Sequence, residues 1–138
     1  MHRYEANLVR EFIEILRRDK KTFGPLSIAR EFDYFSGRVD IVGLSRVGEL
    51  VSFEAKLHLW KTALDQAYRA SSFSHLSFVI LPRVQIDKPM KYSDEFLRRG
   101  VGLCSVSSGR IKIEIPASKR KPFQPWITEA ARHFITHF

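Results

Sequence analysis

The chain has 138 residues, enough for one domain that buries a real core. Its 23 Lys and Arg against 15 Asp and Glu leave a net charge of +8, which favours a polyanionic partner, nucleic acid before an acidic membrane. The single cysteine, Cys104, excludes an internal disulfide; with no apolar run near the roughly 18 residues of a membrane span and a start, MHRYEAN, unlike a signal peptide, the expectation is a cytoplasmic protein with no membrane partner.

In residues 4–18, Leu8, Val9, Phe12, Ile13, Ile15 and Leu16 recur at the spacing of an amphipathic helix. Glu5 lies three, four and seven residues before Leu8, Val9 and Phe12, so it projects along the buried face, unless that first turn is frayed. Gly24 and Pro25 end the unit, and residues 26–34 read as a strand. A tight turn at Ser36-Gly37 then places Phe32 and Tyr34 opposite Ile41 and Val39, with Asp33 opposite Asp40. Glu31 and Asp33 are rival candidates for an extra acid.

Residues 38–44 and 50–56 read as two strands joined by a loop containing Gly48. Alternation puts Val39 and Ile41 on one face with Asp40 on the other, and Phe53, Ala55 and Leu57 on one face with Ser52, Glu54 and Lys56 on the other. A hairpin centred on Val47 sets Asp40 across from Glu54, roughly 5 Å apart at the Cβ atoms, with the Lys56 ammonium beside them. Two such carboxylates repel, and a hard divalent cation such as Mg²⁺ or Mn²⁺ relieves the repulsion. The plain alternative is the solvated face of an amphipathic hairpin.

The helical pattern of residues 56–70 has Leu59, Ala63, Leu64, Ala67 and Ala70 as its buried stripe, with His58 and Trp60 near the mouth of the site and Trp60 read as packing. Strands follow at 76–81 and 101–106, both buried on two faces, around a loop and a short helix at 93–99 that starts at Ser93 and stops at Gly100. Cys104 reads as a small core residue. Residues 111–115 alternate as an edge strand after a Ser108-Gly109 turn. In residues 116–138, the basic run Lys119, Arg120 and Lys121 with Phe123 and Trp126 suits phosphate contact and base stacking, against the alternative of a linker docked on the core; a helix over 128–138 turns Phe134, Ile135 and Phe138 inward.

Gly37-Arg38-Val39-Asp40 followed by Phe53-Glu54-Ala55-Lys56 resembles the signature of the PD-(D/E)XK nuclease superfamily, with Val39 where proline often precedes the acid. The resemblance implies a single restriction-endonuclease-like α/β domain over residues 1–138, a central mixed sheet flanked by helices. It implies Asp40 and Glu54 as metal ligands, Lys56 as the catalytic lysine, Glu5 as a first-helix glutamate that completes the site, and Gln66 as a supporting residue on the following helix. Arg38, inside the motif, joins Lys119, Arg120 and Lys121 as an expected nucleic-acid contact. The implied activity is Mg²⁺- or Mn²⁺-dependent hydrolysis of phosphodiesters in DNA, with RNA and a homodimer left open. The alternatives are a non-catalytic nucleic-acid-binding module on the same fold and a basic protein-interaction subunit.

Overall fold

Helix α1, Glu5–Arg18, forms on the expected stripe, and all six of its predicted apolar residues are buried. The chain is described here from a computed structural model over residues 4–137, so Phe138 lies outside the described residues. After α1, Phe23 drops into the core and meets Phe53 and Phe78 edge-on at 5.3 and 5.2 Å between ring centroids. It holds α1 to the sheet that follows.

That sheet contains β1 (Leu26–Tyr34), β2 (Gly37–Ser45), β3 (Leu50–Ala55), β4 (Leu76–Pro82), β5 (Gly102–Ser107) and β6 (Arg110–Ile115), in spatial order of sequence. The first three strands form an antiparallel meander, β3, β4 and β5 run parallel, and β6 returns antiparallel as an edge. Parallel neighbours need crossovers. Helix α2 (Trp60–Ala70) carries the first, and a 3₁₀ turn at Arg83–Gln85 with α3 (Asp87–Met90) and α4 (Ser93–Arg99) carries the second, where the sequence had suggested only a loop before residue 93. Helix α5 (Pro125–Thr136) begins three residues earlier than the apolar pattern indicated, because Pro125 fits its first turn. No helix among the described residues is long and apolar enough to cross a membrane.

Helix α1 covers one face, over Ile41, Phe53, Ala55, Phe78, Ile80 and the buried thiol Cys104. On the other face, α2 and α4 pack on Val79, Leu81 and Leu103, while α5 packs on Ala29, Phe32, Val39 and Val42. Every residue of β3 is therefore buried, Glu54 included. The plain alternative of a solvated hairpin face does not hold for Glu54, because helices cover that side.

The first hairpin differs from its sequence reading. Its turn is Phe35-Ser36, so Tyr34 pairs with Gly37 and Phe32 with Val39; Asp33 falls opposite Arg38, two residues from the expected Asp40. Gly37 is needed inside the strand, since a Cβ there would lie 2.9 Å from the Tyr34 hydroxyl oxygen. The ladder also skips the step between Glu31 and Asp40, where Glu31 adopts a left-handed φ of 58°. That kink changes which face follows: Val39 packs under α5, whereas Ile41 packs under α1, so the two do not share a face as alternation predicts.

Candidate active site

Asp40 and Glu54 occupy adjacent antiparallel strands, one step beyond the Ile41 and Phe53 pair of the β2–β3 ladder. The ladder has ended there, and side chains take over. Asp40 Oδ2 accepts the Ala55 N–H at 2.8 Å, and the Asp40 N–H lies close enough to the Glu54 carboxylate to favour its charged form. The pair is thus pinned to the backbone of both strands. Glu54 is 2 % exposed, and its Oε2 is buried without a hydrogen-bond partner.

Burial, and then the neighbouring Asp40 carboxylate, push Glu54 up to about 8 against the opposing effects of the Asp40 N–H, Lys56 and Arg69. Asp40 is also raised, chiefly by burial; the Ala55 N–H and Lys56 pull it down, and Glu5 and Glu31 add to the rise. Without a cation the site therefore holds a proton near neutral pH. A buried carboxylate with a free lone pair and an anionic neighbour is the environment in which a hard divalent ion replaces that proton.

Lys56 leaves β3 just beyond Ala55, its N–H bonded to the Ile80 carbonyl at 3.1 Å, and its ammonium acts on both carboxylates. Glu5, in the first turn of α1, meets that ammonium at 3.7 Å. Four residues that the sequence spread from 5 to 56 are therefore brought together. Glu31 sits in the same electrostatic neighbourhood, since the β1–β2 register sets it opposite Asp40. Asp33 does not: it holds Arg38 through two hydrogen bonds, at 2.6 and 3.3 Å, on the exposed side of the hairpin. Among the described residues, no group of three or more His, Cys, Asp or Glu is arranged to hold a metal ion, so protein ligation would rest on the Asp40–Glu54 pair and on non-side-chain oxygens.

Gln66 is half-buried on α2, one turn before Arg69. Arg69 acts on both Glu54 and Tyr34, and the sequence reading missed it. The signal was its place three residues after Gln66 on the helix that follows Lys56. His58 is exposed at the start of this helix. Trp60 is buried, stacked on Tyr92 and Phe96 at 5.2 and 5.8 Å, as a packing residue.

The basic run of residues 119–121 does not form one free patch. Lys119 pairs with Glu49 at 2.9 Å, Arg120 donates to the Arg99 carbonyl with its guanidinium 5.7 Å from the Tyr68 ring, and Lys121 is exposed.

The chain matches no family model and no curated protein. Among solved structures it is similar to a protein of unknown function from Silicibacter pomeroyi, with a TM-score of 0.60 and 19 % identity over 97 % of this chain and 91 % of that one. It is also similar to a repair endonuclease from Pyrococcus abyssi, with a TM-score of 0.50 and 18 % identity over 78 % of this chain. The match spans 50 % of the endonuclease chain. At these identities the likeness is one of fold: a small α/β domain whose six-stranded mixed sheet is flanked by helices, as in that endonuclease.

Proposed function

We propose that the chain is a metal-dependent nuclease of the PD-(D/E)XK type, hydrolysing phosphodiester bonds in DNA with Mg²⁺ or Mn²⁺ held by Asp40 and Glu54. The observation that carries this reading is the buried Glu54 carboxylate, with one oxygen lacking a partner, set beside a second carboxylate. Such a pair destabilises a fold that leaves it uncompensated. Its hard oxygens on rigid strands fit a divalent cation. When bound, the ion supplies Lewis-acid activation of water and of the phosphoryl oxygens.

The chain's own groups do the rest. The Ala55 N–H holds one oxygen of the Asp40 carboxylate in place. Lys56 orients the attacking water and balances charge that develops on the phosphate. Glu5 holds the Lys56 ammonium until a phosphate competes for it. Gln66 and Arg69 support the strand on the α2 side, and Arg38, Lys119, Arg120 and Lys121 contact backbone phosphates further out.

A non-catalytic nucleic-acid-binding module is the second reading, favoured by the engagement of Lys56 with Glu5. Cleavage assays on duplex, single-stranded and branched DNA and on RNA, with Mg²⁺, Mn²⁺ or EDTA, separate the two. The nuclease cuts with metal, stops with EDTA, and loses cutting in Asp40→Asn, Glu54→Gln and Lys56→Ala while those variants still bind. A wild type that cuts no substrate with either metal, yet binds as its variants do, establishes the module instead.

A further inference from the structure

At the turn before the strand that carries Asp40, a groove of about 310 Å³ opens between the β1–β2 turn, the C-terminal end of α2 and residues 120–124. Its lining includes Tyr34, Tyr68, Arg69, Arg120 and Phe123. Ser36 of the groove lies four residues before Asp40 along the chain, which places the groove within reach of the site along one substrate strand, and Arg69 and Tyr34 both feel the Glu54 charge. We propose that it is the subsite for one unpaired nucleotide of the substrate strand, so that the substrate class is single-stranded DNA or DNA with an unpaired flap; this rests on the nuclease reading of the acid pair.

Two kinds of surface meet there. The guanidinium groups of Arg69 and Arg120 suit a phosphate, and the aromatic rings suit a base face. Phe123 is 70 % exposed and Tyr68 46 % exposed, so both rings reach solvent at the groove. Neither is a loose end. The backbone N–H groups of Phe123 and Gln124 both donate to the Ser72 carbonyl at 3.0 Å, and the Ser72 hydroxyl donates to Gln124 Oε1 at 2.6 Å. The Tyr68 ring is flanked by the Arg99 and Arg120 guanidinium groups at 5.9 and 5.7 Å. A rigid, wet aromatic surface next to arginines matches the π-face and phosphate of an unstacked nucleotide. In a continuous duplex each base face is covered by its neighbours, so the rings have nothing to stack on.

The test is fluorescence anisotropy in metal-free buffer, with a labelled oligothymidylate and a blunt duplex of equal length. Wild type is expected to bind the single strand about tenfold more tightly. Phe123→Ala should remove about that factor from single-strand binding and leave duplex binding within about twofold, and Phe123→Tyr should restore it. Tyr68→Ala should act in the same direction. Equal losses on both forms, no loss in either alanine variant, or a wild type that prefers duplex overturns the subsite. Cleavage of the same oligonucleotides with Mn²⁺ keeps the two claims apart. Single-strand binding through the groove without cleavage retains the subsite and removes the nuclease. Cleavage of every DNA form unaltered by Phe123→Ala and Tyr68→Ala retains the nuclease and removes the subsite.

Discussion

The strand β2 carries two charged pairs two residues apart, and they are built on opposite principles. Arg38 meets Asp33 across the β1–β2 turn with both side chains more than half exposed and their charges cancelled. Asp40 meets Glu54 across the β2–β3 step with Glu54 buried, Asp40 half-buried and their charges alike. The first needs nothing further and contributes little, because solvent already screens it. The second is stable only with a proton or a cation between the carboxylates. On the proposed reading, function belongs to the pair that the fold leaves unbalanced.

The largest effect is expected from breaking the unbalanced pair. Glu54→Gln should lower metal-dependent cleavage at least about a hundredfold, because the hard ligand and its charge are lost. The same change should raise the melting temperature of the metal-free protein at pH 8 by about 5 °C, since it deletes a buried charge while keeping the shape and an acceptor for the Asp40 N–H. Calorimetry showing a strong loss of stability would mean that Glu54 is a structural anion.

Next comes pH. The folded protein holds a proton on Glu54 up to about 8, whereas an unfolded glutamate gives it up near 4.5. Across that window the folded state binds more protons, so metal-free stability should fall as pH rises from about 4.5 to about 8. Urea midpoints should follow this fall, and Mg²⁺ should offset it most at the alkaline end. A midpoint that rises over the same range sinks the assignment of Glu54 as the proton site.

The smallest effects belong to the balanced pair and to the basic tail. Asp33→Asn should leave the urea midpoint nearly unchanged and leave cleavage intact. Lys121→Ala should reduce the salt slope of nucleic-acid binding by about one unit without changing which DNA is preferred. If Asp33→Asn abolished cleavage, the contrast between the two pairs would be lost.

Most of the fold was legible in the hydrophobic pattern, since α1 and α2 carry a one-sided stripe and β4 and β5 read as short apolar runs buried on both faces. The β2–β3 register matches the hairpin expected around Val47, although the alternation used to choose it does not survive, since both faces of β3 are buried. The β1–β2 turn was not legible, because Gly37 looks like a turn residue until the Tyr34 ring is seen lying over it. Nor was the kink at Glu31, whose left-handed φ belongs to a residue type with no preference for it. The convergence of Glu5 and Lys56 was suggested by the resemblance, but the burial of Glu54 depends on α2 and α5 closing over the sheet. Arg69 and the aromatic groove escaped notice because tertiary contacts, not sequence spacing, bring residues 34, 69, 120 and 123 together.

The most direct test of the central claim is Mn²⁺ titration calorimetry at pH 7 in two buffers of different ionisation enthalpy. A metal that displaces the Glu54 proton should bind with release of nearly one proton, and both the binding and the release should disappear in Glu54→Gln. Mn²⁺ binding without proton release, or equally strong in Glu54→Gln, would contradict the assignment of this pair as the metal site.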